Sequence, residues 1–314
     1  MTLPFGLPTV RLAALLVLIA VSAWPGAAAL GSSRTDLDRD WQFRADPQAS
    51  GEASGWISAA PSDTQSVSLP HTWNIGPLHD YLGAAWYFRR LEMPPQPPGA
   101  HLQLHFGATF YSARVWLNGV ELGGHEGGFT AYSFDVTPHL RRDNLLVVRL
   151  DNRPGVATIP GFAERGSPKA RYDWWTYGGI VRNVWLTTSG PAWVQRQSIR
   201  TEQNAGSAVV HDHVFLQSEF SKPTPVKLLV TAYGPDNHAE ASDSRSITLS
   251  AGITDTAVSV VVPKPKLWGI DHPNVYRMVV QLAARNGEPL DEHVDTFGVR
   301  TFEIRDRQIG RAHV

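Results

Sequence analysis

The chain of 314 residues has no cysteine, which rules out disulfides, acylation at a lipobox cysteine and any thiol chemistry. It also lacks charge of one sign: 28 basic against 29 acidic side chains leave a formal charge of −1. Nucleic acid or an anionic membrane surface would call for a basic excess, so neither is expected as a partner. No sustained i, i+3, i+4, i+7 stripe is present, and the one long apolar run, Leu12 to Trp24, is shorter than the roughly 20 residues of a membrane span. P-loop, G-x-G-x-x-G and G-x-S-x-G signatures are missing as well. Nucleotide-phosphate cradles and the serine-hydrolase elbow lose their support with them.

The apolar run itself has the build of an export signal. Arg11 precedes it, Pro25-Gly26 breaks it, and Ala27-Ala28-Ala29 supplies a small-residue cleavage site. Residues 1–29 are therefore expected to be a signal peptide, with the mature protein periplasmic or secreted and no membrane association after cleavage. An exported chain without disulfides must rely on core burial, which about 285 residues can supply.

The rest is rich in Gly (27), Pro (23) and Trp (11) and alternates with period two. In HLQLHF, Leu102, Leu104 and Phe106 face one way and His101, Gln103 and His105 the other. Asn118-Gly119 between two apolar arms predicts a hairpin with a type I′ turn, because both central residues need positive φ. Strands are also expected at Leu145–Asn152 and Gly179–Thr188, and a domain boundary near Ser189-Gly190-Pro191. Beyond it, AWVQRQSIR, VVHDHVFLQSEF, PVKLLVTAY, SITLS, AVSVVVP and VYRMVVQLA recur at the spacing of a small sandwich. The fold class is all-β.

One long connection, Asp151 to Trp174, leads into DWWTYGGIVRNVWL (173–186). Connections of this length are functional or disordered. An acid beside two indoles offers what a sugar needs, a hydroxyl acceptor and a flat apolar face for C–H groups. A tryptophan can equally pack in a core, and an aspartate can form a turn. Composition leaves both open. His211 and His213 share a strand face, but two ligands are too few for a closed metal site, and a solvent-facing row is expected. His71, His79 and His125 lie near acids or other histidines without a nucleophile context. No cofactor and no metal is expected.

Several segments, taken in order, resemble glycoside hydrolase family 2, which contains β-galactosidases, β-glucuronidases and β-mannosidases. They are LPHTW (69–73), AWYFRR (85–90), ARVWLNGVELGGHEGGFTAYSFDVT (113–137), NLLVVRLDN, DWWTYGGIVRNVWL, LWGIDHPNVYRMVVQL (267–282) and FGVRTFEIRD (297–306). The resemblance implies a jelly-roll sugar-binding domain over residues 30–190 and an immunoglobulin-like sandwich over 191–300. It further implies that Asp173, with Trp174 and Trp175 beside it and Arg182 closing the pattern, contacts a carbohydrate substrate. Family members hydrolyse with retention, using two glutamates about 5–5.5 Å apart on a (β/α)₈ barrel of about 250 residues. Only a short stretch follows FGVRTFEIRD here, and the chain has no Asn-Glu dipeptide, the form in which the family presents its acid/base.

No catalytic residue is therefore assigned. Residues 301–314 are expected to be the truncated start of that barrel, the missing partner of these domains. The last seven, QIGRAHV (308–314), back-translate in part to a widely used sequencing adapter and are expected to be non-native. The resulting expectation is the non-catalytic N-terminal part of an exported glycosidase acting on terminal β-linked sugars. The alternatives are a freestanding carbohydrate-binding protein and a structural sandwich pair that assists assembly. The sequence does not speak to sugar identity or oligomeric state.

Overall fold

The computed structural model describes residues 33–94, 96, 99–155, 158–159, 175–305 and 308–311, with side chains to residue 301. The expected signal segment lies outside the described residues. Ten strands come first: β1 (Ser33–Asp36), β2 (Trp41–Asp46), β3 (Gln65–Val67), β4 (Ala84–Glu92), β5 (His101–Phe106), β6 (Ser112–Leu117), β7 (Val120–Glu126), β8 (Tyr132–Asp135), β9 (Asp143–Asp151) and β10 (Val184–Ser189). They form a six-stranded sheet, β3-β2-β4-β9-β6-β7, and a four-stranded sheet, β1-β10-β5-β8.

Alternation decides what lies between the sheets. Leu102, Leu104 and Phe106 of β5 join Phe43, Tyr87 and Leu150 in one buried core. Burying each such side chain stabilises the fold by about 1.5–3 kcal/mol. The other face of the six-stranded sheet carries a smaller cluster of Trp56, Trp86, Phe88, Trp116 and Val147. Asp46 closes the loop over it by accepting hydrogen bonds from Ser50 N–H, Gly51 N–H and Trp86 Nε1–H, each at 2.9 Å. Burial alone would raise the Asp46 pKa, but these donors hold it below the usual carboxylate value.

The Asn-Gly turn forms as expected, with φ of 54° at Asn118 and 82° at Gly119. The strand expected from Gly179 begins only at Val184. Gly179 has φ of 151°, the Val181 and Arg182 amides both bond to Ala108 O, and Asp38 captures Asn183 Nδ2 at 2.5 Å and Val184 N–H at 2.9 Å. Local bonds thus replace the ladder for five residues.

Seven strands follow: β11 (Ala192–Asn204), β12 (Ser207–Ser218), β13 (Thr224–Tyr233), β14 (Ala239–Leu249), β15 (Gly252–Pro263), β16 (Tyr276–Ala284) and β17 (Pro289–Phe297). A three-stranded sheet, β11-β12-β15, faces a four-stranded one, β14-β13-β16-β17, across a valine- and leucine-rich core. The fourth strand joins the β13 side, which differs from the four-plus-three division of immunoglobulin constant domains. A last pair, β18 (Phe302–Arg305) and β19 (Gln308–Arg311), closes the described chain.

The two sandwiches meet through Gly190 N–H to Leu290 O at 2.7 Å and through His101, which stacks on Trp193 at 3.6 Å and 10°. His101 does point away from its own core, as alternation requires, yet it is only 3% exposed because the second sandwich covers it.

Candidate functional site

At one end of the first sandwich, where β4 begins and β9 ends, two asparagines are almost wholly buried. Asn152 Nδ2 donates to Thr176 O at 2.8 Å and to Asn74 Oδ1 at 3.1 Å, while its Oδ1 accepts from Gly83 N–H at 2.9 Å. Asn74 Nδ2 donates to His79 O and Tyr81 O, each at 3.0 Å, and its Oδ1 also accepts from Gly178 N–H at 2.8 Å. Two amides therefore tie loops 74–83 and 176–178 to the end of β9. A buried amide is stable in such a place only when its donors and acceptors are met.

The Gly178-Gly179 pair has a steric cause. A Cβ on Gly178 would sit 2.0 Å from Trp73 Cζ2, and one on Gly179 would sit 2.1 Å from His71 O. The segment threads between two others. Gly179 exchanges backbone hydrogen bonds with Phe110 at 2.8 and 3.1 Å, and His71 N–H donates to Ile180 O at 2.8 Å. Below it, His71 Nδ1 lies 2.7 Å from Tyr87 Oη, and burial pushes the His71 pKa down. Burial raises Tyr81 to about 12, and its hydroxyl donates to Ala84 O at 2.6 Å.

Of the three residues singled out for sugar contact, Asp173 and Trp174 lie outside the described residues. Trp175 is half-buried against His79, with ring centroids 4.6 Å apart, and its Nε1 has no hydrogen-bond partner among the described residues. Arg182, at the end of the pattern, reaches Phe129 O at 3.4 Å. Exposed apolar side chains surround this end: Ile75, Phe129, Ile159 and Tyr177. Phe129 packs edge-on to Phe110, and Ile159 N–H donates to Tyr111 Oη at 3.1 Å.

The described acids near this end are not placed for hydrolysis. Asp151 is paired with Arg153 and lies 3.6 Å from Arg149, and Asp80 is exposed beside His79. The arrangement can hold a ligand against aromatic and amide groups but supplies no acid/base pair among the described residues. No group of three or more His, Cys, Asp or Glu among the described residues could hold a metal ion. His211 and His213 are exposed, bonded to Ser259 Oγ and Asp255 Oδ2 respectively. A cleft of about 740 Å³, lined by Met93, Leu102, Leu140 and Arg142 among others, opens where β4 ends and β9 begins. It lies at the opposite end of those strands and shares no residue with the motif.

Sequence reasoning did not single out Asn74 and Asn152. The available signal was an amide directly after a strand or aromatic corner, in HTWN and RLDN, where a polar residue closes an apolar run.

Comparison with known proteins agrees with this architecture. Residues 35–190 match the description "Glycosyl hydrolases family 2, sugar binding domain", and residues 193–300 match "Glycosyl hydrolases family 2". The β-galactosidase BoGH2A of Bacteroides ovatus is 28% identical over 304 residues, covering 88% of this chain and 32% of that protein. A β-glucuronidase of Formosa agariphila is 24% identical, with 87% and 30% covered. Among solved structures, a putative β-galactosidase from Bacteroides fragilis superposes with a TM-score of 0.73 at 28% identity, covering 88% of this chain and 42% of that one. The Bacteroides uniformis β-glucuronidase gives 0.72 at 26%, with 87% and 33% covered. The chain spans about a third of the length of the first curated relatives it matches.

Proposed function

Because this chain belongs to the family 2 glycosyl hydrolases, we propose that it is the non-catalytic, substrate-contacting N-terminal part of an exported glycosidase. The full-length protein would remove terminal β-linked sugars by double displacement, with both glutamates on a (β/α)₈ barrel that follows these domains. Asp173 orients a terminal sugar through its hydroxyls, and Trp174 and Trp175 line the rim. The second sandwich acts as a spacer. Export through residues 1–29 delivers the enzyme to the periplasm or the medium.

The observation that carries this reading is the amide clamp. Asn74 and Asn152 hold Thr176 and Gly178, which anchors the described end of the motif directly after Trp175. Contact residues need such support if a substrate is to be held within fractions of an ångström. The apolar side chains around the anchor, and Leu267, Ile270 and Val275 beside the chain's exit from β17, supply surface for a docked barrel.

The test joins this chain to a family barrel and compares nitrophenyl β-galactoside and β-glucuronide turnover with and without Asp173→Asn. A drop in kcat/KM of about 100-fold is expected, from the loss of a charged hydrogen bond made in the transition state. Unchanged kcat/KM removes the role given to Asp173. Hydrolysis by the unjoined chain would defeat the whole assignment. Micromolar glycan affinity of the unjoined chain, measured by calorimetry, would favour a freestanding binding protein instead.

A further inference from the structure

Among the described residues, the buried side-chain polar atoms without a hydrogen-bond partner belong to five residues: His101, Trp175, Trp193, Gln197 and Asp212. His101 and Trp193 stack at the joint between the sandwiches, whereas Gln197 of β11 and Asp212 of β12 face the inside of the second sandwich. Native proteins leave few such atoms, and a cluster of them calls for a cause.

Asp212 is the extreme case, 1% exposed with both carboxylate oxygens unpartnered. It stands opposite Ile199 of β11 and Val258 of β15. Ser198 N–H is close by but outside hydrogen-bonding geometry. Gln197, one step diagonal on the same inner face, has neither amide atom engaged. The titratable groups on β17 are Asp291, Glu292, His293 and Asp295; Asp291 accepts Val194 N–H at 2.7 Å, Glu292 accepts Gln281 Nε2–H at 2.7 Å on the exposed side, and His293 Nε2 lies 3.5 Å from Asp295. From β11, Arg196 covers Phe215 on the outer face, and Arg200 and Glu202 are exposed. Neighbouring His211 and His213 also face outward, bonded to Ser259 and to Asp255 of β15. The buried residues that β13 and β16 add to this core, such as Val226, Leu228 and Val230 with Met278 and Val280, carry no charge.

We propose that the seam between β11 and β17 is a proton-controlled latch, closed while Asp212 is protonated and opened by water when Asp212 ionises. An isolated carboxylate in an apolar core is costly, and either protonation or hydration relieves it. The seam is where hydration is easiest. β11 is an edge strand whose ladder runs only to β12 and is interrupted by a bulge between Val194 and Arg196. A cavity of about 450 Å³ already opens there, lined by Gln197, Ile199, Thr201, Asp295 and Phe297 among others. Burial, opposed by the nearby Ser198 N–H, reinforced by Asp295 and opposed more weakly by His293 and His213, lifts Asp212 to about 6. The protonated state therefore dominates below that value, and the ionised state above it. Trp193, on the same strand, carries the change to His101 and the first sandwich.

Hydrogen exchange of the whole chain, corrected for intrinsic rate, tests the latch between pH 4.5 and 7.5. Protection of residues 196–201 should fall at least about tenfold as pH rises through 6, and Asp212→Asn should abolish that dependence. Its melting temperature should exceed the parent's already at pH 5, where Asp212 of the unfolded chain is ionised, and by more at pH 7. Asp295→Asn keeps Asp212 and should move the transition to lower pH, which covers the case in which the first variant fails to fold. Protection that ignores pH, or the same dependence in Asp212→Asn, overturns the proposal. So does restoration of protection at pH 7 by added calcium chloride, because Asp212 would then hold a metal cation in place of a proton.

Discussion

At one end of the first sandwich, Asn74 and Asn152 have partners for both amide atoms; along the β11–β17 seam, Gln197 and Asp212 have none among the described residues. Both regions bury polar groups, so burial alone does not say what such groups do. Where partners are complete, the amides act as crossbraces that give irregular backbone one conformation. Where partners are lacking, the same burial leaves a group that can lower its energy by taking a proton or admitting water. The first arrangement suits a contact surface that must not move, and the second a joint that can.

The sharpest test of rigidity at the clamp is Gly179→Ala. The new Cβ would meet His71 O at a backbone φ of 151°, so neither neighbour can yield cheaply. A loss of about 4 kcal/mol is expected, read as the urea midpoint of the first sandwich. A loss below about 1 kcal/mol would mean that the 71–73 and 178–180 segments slide freely, and the contrast with the seam would fail. Asn152→Leu, close in size, should lose about 3 kcal/mol because Gly83 N–H and Thr176 O are left buried and unpaired.

A milder effect separates turn geometry from side-chain bonding. Asn118→Gly preserves the positive φ of the hairpin but removes the bonds of Asn118 to His139 O, Asn144 Oδ1 and Leu145 N–H. About 2 kcal/mol should be lost, although glycine is favoured at that turn position. Equal stability of the two proteins would reduce Asn118 to its turn role.

That residue also marks how far the sequence can be read. Its hairpin was legible because the φ requirement is local, while its bonds to Asn144 and Leu145 join strand ends far apart in the chain. The all-β class and the inward set Leu102, Leu104 and Phe106 were legible for the same reason, since alternation needs no partner. His101 was placed on the correct face, but only the second sandwich decides that this face is dry. The start of β10 was overread because a Gly-Gly pair and an Asp38 cap, 146 residues away from Val184, override alternation. The anchor at Trp175 could be suspected from DWWTYGG, whereas the amides that fix it could not. Asp212 sits between two histidines that drew attention, and its inward turn follows from the same period-two rule that exposes them. Its lack of donors follows from what β17 and β11 bring across the seam, and no local pattern encodes that.

The smallest expected effect has the opposite sign, which makes it the most telling about the seam. Gln197→Leu removes two buried polar atoms that bond to nothing and adds apolar surface beside Ile199 and Phe297. Since an unpaired buried amide costs about 1–3 kcal/mol and leucine is similar in length, a gain of about 1 kcal/mol is expected. The melting temperature at pH 5, with Asp212 protonated, is the right measurement, because the latch is closed in both proteins. Asn152→Leu is the same kind of substitution and should destabilise, so the pair isolates partner satisfaction from burial. If Gln197→Leu destabilised as well, ordered water would already be serving that amide. The seam would then be wet at every pH, and its difference from the clamp would be one of solvent and not of proton.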